Sequence, residues 1–180
     1  MSAATPGFAE RLFALGDRIE YSTVGTWIGE SRFGYPIIEG IHLIGLAVAV
    51  GLLFVVDLRL LGLLLRQVPV HDLMRQLRPW IIWGFVAIFV TGALLFWSSA
   101  GRMLDSPAFA VKVVLLIIGT INALHFELKL AHEPSVRDNR AVLPANIRRA
   151  AGASLTIWTL AIVFGRMTAY LPHWATLGQP

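Results

Sequence analysis

Residues 40–56 contain no Asp, Glu, Lys or Arg, and residues 79–101 form a second uncharged run. A bilayer core of about 30 Å needs roughly 20 apolar residues at 1.5 Å each, and stretches of this length and purity meet that need. Lipid leaves backbone polar groups without water, so a chain built from such runs must span as helices that satisfy their own hydrogen bonds.

The run at 40–56 extends on both sides to give a first span over residues 36–65. The second covers 79–101, with Trp80, Trp83 and Trp97 near its ends, where aromatic side chains favour the membrane interface. Asp105 and Ser106 precede Pro107, a cap-then-proline start that opens a third helix over 107–131. The fourth runs over 150–171 and is stopped by Pro172. Before them, Phe8, Leu12, Leu15 and Ile19 recur at helical spacing within a polar segment, 8–29. That segment reads as an amphipathic helix lying in the interface, or packed on the bundle or a partner. The expected fold is all-α: one integral membrane domain, residues 1–180, formed as a four-helix bundle with an N-terminal amphipathic interfacial helix.

Composition narrows the alternatives. The 180 residues are 56% hydrophobic and 14% charged, well away from soluble norms of roughly 45–50% and about 25%. The net charge of +4 does not point to nucleic acid, because the basic residues flank apolar runs instead of forming a polar patch. With no cysteine, disulfides, thiolate metal sites and palmitoylation are excluded. The first residues lack the basic and apolar regions of a cleaved signal peptide. Phosphate-binding loops, zinc-protease helices, nucleophile elbows and calcium loops are absent from the sequence.

Positive charge sets the expected orientation. Arg59, Arg66, Arg75 and Arg78 flank the first connection between spans, and Lys129, Arg137, Arg140, Arg148 and Arg149 flank the third. Basic loops stay cytoplasmic, so both termini are expected on the extracytoplasmic side of the cell inner (plasma) membrane.

Ionisable groups inside a span are the residues to question first, since translocon scales put a central Arg, Lys or Asp at about 2.5–3.5 kcal/mol. Glu39 and His42 are three apart on the first span and share a face, followed by the small residues Gly45 and Ala49. A helix-borne histidine suits haem iron, binding through one nitrogen while the other is held by a partner. The plainer reading is a histidine hydrogen-bonded near the interface. On the third span Asn122, His125 and His132 share a broad face, with Glu127 and Lys129 marking its end. His42 and His125 lie about six residues from opposite sides of their span centres. Roughly 18 Å of depth then separates them, which argues for two sites instead of one shared iron. His71, His132 and His173 are the candidates for second ligands. Lys112 and Arg166 are long cations toward the outer leaflet, able to pair with haem propionates or to snorkel. Asp57 and Arg59 read as a charge pair closing the first span.

The segment Ile38-Glu39-Gly40-Ile41-His42-Leu43-Ile44-Gly45, followed by Asp57-Leu58-Arg59-Leu60-Leu61-Gly62, resembles an uncharacterised family of small four-helix bacterial membrane proteins. More distantly, His42, Arg78-Pro79-Trp80 and Phe109-Ala110-Val111-Lys112 look like the copper-resistance-D and membrane protoporphyrinogen-oxidase type of bundle. That resemblance implies haem b or porphyrin binding, with His42 matching the first-helix histidine and Lys112 the third-helix lysine.

The resulting expectation is a b-type haem electron-transfer protein in the bilayer, with His42 and His125 on iron and Lys112 and Arg166 beside the cofactor. Quinone or another redox partner would exchange the electrons. Two alternatives stand beside it: a non-catalytic accessory or scaffold subunit of a larger membrane complex or homo-oligomer, and a porphyrin-oxidising enzyme. The catalytic residues of such an enzyme are not legible.

Overall fold

The computed structural model describes residues 7–129, 131, 136, 143–168 and 170. Among the described residues there are seven helices and no strand. They are α1 (Phe8–Glu20), α2 (Thr23–Glu30), α3 (Gly34–Leu60), α4 (Val70–Trp97), α5 (Ala100–Leu104), α6 (Pro107–Leu128) and α7 (Ala145–Met167). Helices α3, α4, α6 and α7 are each long and apolar enough to cross a membrane. Between 11% and 28% of each helix's most apolar stretch is buried, so most of that apolar surface faces outward. Outward-facing Ile41, Ile44, Trp83, Val90, Ile117 and Ile121 are unfavourable in water and well placed in lipid. The chain is a multi-pass membrane protein.

Two antiparallel hairpins make the bundle. In the first, Gly84 of α4 lies so close to Ala49 of α3 that a Cβ added to it would sit 2.8 Å from the Ala49 Cβ. Gly45 and His42 of α3 meet progressively later residues of α4, Ala87 and Ile88 and then Thr91 and Gly92. Without the packing advantage of burial from water, such helices associate through close backbone approach, which small residues permit. In the second hairpin Gly119 of α6 receives the Trp158 ring of α7, while Asn122 donates to the Ala150 carbonyl at 3.1 Å. Contact between α3 and α7 joins the hairpins. At the end of the bundle near the α3–α4 turn, Val56, Leu60, Val70, Ile147 and Ala151 close a dry core.

Several expected boundaries shift. Helix α4 begins at Val70, not at residue 79, and carries Pro79 inside it. The extra turns place Val70 and Leu73 in the core, and that burial holds the helix together on the N-terminal side of the proline. The α3 helix ends at Leu60, where Gly62 takes a φ of +75° in the turn. Helix α7 starts at Ala145, so Arg148 and Arg149 are helical instead of lying in a loop. Segment 8–29 is two helices, broken at Tyr21 and Ser22, where the Ser22 hydroxyl caps α2 by accepting from Gly25 N. Helix α1 packs on α5: Gly16 abuts Leu104 and Gly101, and Glu20 accepts from Gly101 N at 2.8 Å. Phe8 and Leu15 remain outward, so the helix both docks and offers an apolar face. His132, His173 and Pro172 lie outside the described residues.

Candidate functional site

His42 is half-buried where α3 crosses α4. Its Nδ1 is 2.9 Å from the Thr91 hydroxyl oxygen. Thr91 donates its own proton to the Ala87 carbonyl at 2.5 Å, the back-bond common for threonine within a helix. A hydroxyl has one proton, and the shorter contact to Ala87 favours Thr91 accepting from His42, an assignment that places the imidazole hydrogen on Nδ1. A neutral ring with Nδ1–H keeps a lone pair on Nε2, the arrangement a metal-ligating histidine requires. The Ile88 carbonyl is a second acceptor for the same ring. Gly92 supplies the space: a Cβ there would come within 3.2 Å of His42 Cε1.

Lys112 joins this site from α6. Its side chain lies along α7 over Gly165, with Cδ, Cε and Nζ each 3.4 Å from where a Gly165 Cβ would be. The ammonium is close enough to act electrostatically on the His42 imidazole, as is the carboxylate of Glu39 one turn earlier on α3. Lys112 is half-buried, with its side chain against Gly165. His42 against Gly92 and Lys112 against Gly165, from four helices, are thus linked electrostatically.

The other expected residues sit elsewhere. His125 is exposed on the last turn of α6, thirteen residues and so about 20 Å along that helix from Lys112. The structure does not bring it to His42. Arg166 lies in the last turn of α7, not more than a turn from its end; it donates to Tyr170 Oη at 3.0 Å and stacks over that ring at 5.3 Å. His71 is exposed in the first turn of α4 beside Asp72. Asp57 and Arg59 do not close α3 as a pair. Two residues apart on a helix, they point in different directions: the Arg59 Nε donates to the Val68 carbonyl at 2.8 Å, while Asp57 turns to Ser154 of α7. Among the described residues no group of three or more His, Cys, Asp or Glu side chains is arranged to hold a metal ion.

A family model matches residues 19–171, from the end of α1 through α7. The chain belongs to the family of unknown function DUF6644. Membership bears out the reading of an uncharacterised family; no curated protein and no solved structure matches the chain. The matched residues include His42, Thr91 and Lys112, and α1 lies almost wholly before them.

Proposed function

We propose that this DUF6644 protein is a b-type haem-binding electron-transfer protein of the cell inner membrane, with both termini on the extracytoplasmic side. One observation carries the reading: the Thr91 hydroxyl lies 2.9 Å from His42 Nδ1 and 2.5 Å from the Ala87 carbonyl, a geometry that supports a hydrogen on Nδ1 and a lone pair on Nε2 for iron. Lys112, close to that imidazole, would pair with a propionate. His42 and Lys112 are also the residues to which the resemblance to oxidase-type bundles assigns the first-helix histidine and third-helix lysine, and Lys112 acts electrostatically on His42 although 70 positions separate them in the chain. Haem, when bound, supplies a one-electron iron couple. The chain's own part is to fix the imidazole tautomer, to neutralise a carboxylate within the bilayer, and to exclude water through its apolar helices. His125, exposed near the other end of α6, takes no part in this site.

The test is an absorption spectrum of the detergent-purified protein, oxidised and dithionite-reduced. A reduced haem b band that His42→Ala removes supports the reading. A colourless, folded wild-type protein purified from haem-replete cells overturns it. In that event an accessory-subunit role leads, drawing on the exposed Trp80 and Trp83 of α4 as contact surface.

A further inference from the structure

The opposite half of the bundle holds a cavity that the His42 site does not use. It lies between α3, α4, α6 and α7, with a volume of about 340 Å³. Asp57 on its wall is fifteen residues past His42 on α3, about 22 Å along the helix. The lining is mainly apolar, and two of its rings, Phe85 and Trp158, stand 4.8 Å apart at 51°. Two polar atoms of its lining residues are unpaired. Asp57 Oδ2 and Trp158 Nε1 belong to lining residues that are 4% and 5% exposed, and neither atom has a hydrogen-bond partner. Most buried polar groups are paired, because an unmet donor or acceptor in an apolar setting costs on the order of 1–3 kcal/mol. Here an orphaned acceptor and an orphaned donor, both shut off from water, belong to two residues that line one cavity.

We propose that this cavity binds a lipid-soluble aromatic alcohol of the quinol class, its ring against Phe85 and Trp158 and its oxygens on Asp57 and the Trp158 indole. The chemistry of the pair selects the class. Asp57 Oδ2 accepts from a hydroxyl, and Trp158 N–H donates to an oxygen, so a ligand must offer both on a body flat and apolar enough for aromatic walls. A phospholipid acyl chain satisfies the walls and neither polar atom. The volume sits at the lower end of small-molecule sites, enough for one substituted ring with its tail passing out between helices. Arg78 of α4 and Glu127 of α6 also line the cavity and form an ion pair that ties those helices beside it. The proposal is independent of the haem reading, since its residues lie elsewhere and its test reads binding alone.

The test is isothermal titration of the full chain in detergent with a decyl-substituted benzoquinol, and with decylbenzene as the oxygen-free control. The quinol saturates one site per chain and binds at least about tenfold tighter than decylbenzene. Asp57→Ala and Trp158→Phe each weaken it about tenfold. Ala123→Phe, which fills the lining, abolishes it. Trp158→Phe keeps an aromatic ring at the position and decides the matter if Asp57→Ala does not fold. Decylbenzene binding as tightly as the quinol, or unchanged quinol affinity in a folded Trp158→Phe, overturns the proposal. Quinol binding by a protein without haem would leave it standing while the haem reading fell.

Discussion

His42 Nδ1 lies 2.9 Å from the Thr91 hydroxyl, and that hydroxyl has already given its proton to the Ala87 carbonyl. Thr91 and the Ile88 carbonyl together bear on which imidazole nitrogen is free. Outer partners of this kind are worth about 10–100-fold in metal affinity. Thr91→Val, similar in shape but without the hydroxyl, is expected to lower haem affinity by that factor, and Thr91→Ser to stay within a few-fold of wild type. Haemin titration of the purified variants measures both. Equal affinity in Thr91→Val would show that the hydrogen bond does not position the ring.

The α3–α4 crossing depends on Gly84. A Cβ there would lie 2.8 Å from the Ala49 Cβ and 3.2 Å from its backbone, which cannot move aside as a flexible side chain would. Gly84→Ala is expected to destabilise the protein by about 1–3 kcal/mol, the usual range for overpacking. Gly40→Ala is the matched control, because nothing lies within 4 Å of its would-be Cβ. Thermal unfolding in detergent should separate the two, with Gly40→Ala at or above wild type.

Arg78 and Glu127 join α4 to α6, but their side chains are 57% and 32% exposed. Solvent screening and side-chain entropy limit such a pair, so a double-mutant cycle with Arg78→Ala and Glu127→Ala should give a coupling of about 1 kcal/mol or less. A coupling of several kcal/mol would mean that the pair is shielded in the membrane and central to holding the hairpins together.

Much of the architecture was readable because lipid imposes a simple rule. Uncharged runs in 40–56 and 79–101 located spans without any knowledge of tertiary contacts. Their ends were less legible. Val70 and Leu73 extend α4 before Pro79 because they find partners in the core, and burial of that sort has no signature in local sequence. At the site, the spacing of Glu39 and His42 and the depth of Lys112 could be read. Thr91 could not: a lone threonine in an apolar span looks like any other until α4 is packed on α3. Asp57 is visible in the sequence, where Arg59 is the nearest cation along the chain. Helical geometry turns the two apart, and with Trp158 Asp57 lines a cavity that four helices create together. A signal did exist for it, a carboxylate just inside a span.

The absence of cysteine makes the orientation easy to test. Single cysteines at Gln67, in the α3–α4 connection, and at Glu30, at the end of α2, replace exposed residues. If basic loops are cytoplasmic, an impermeant maleimide applied to intact cells labels Glu30→Cys and spares Gln67→Cys until the cells are opened. The opposite pattern would invert the proposed topology.

The central claim, that His42 holds a haem, is tested most directly by haem content per chain. Pyridine haemochrome analysis of wild type, His42→Ala and His125→Ala, each purified from haem-replete cells and verified as folded, provides the comparison. The account expects haem in wild type and its loss from the His42 site in His42→Ala, with that same haem retained in His125→Ala. Haem content unchanged in His42→Ala, or no haem in the wild-type protein, would contradict it.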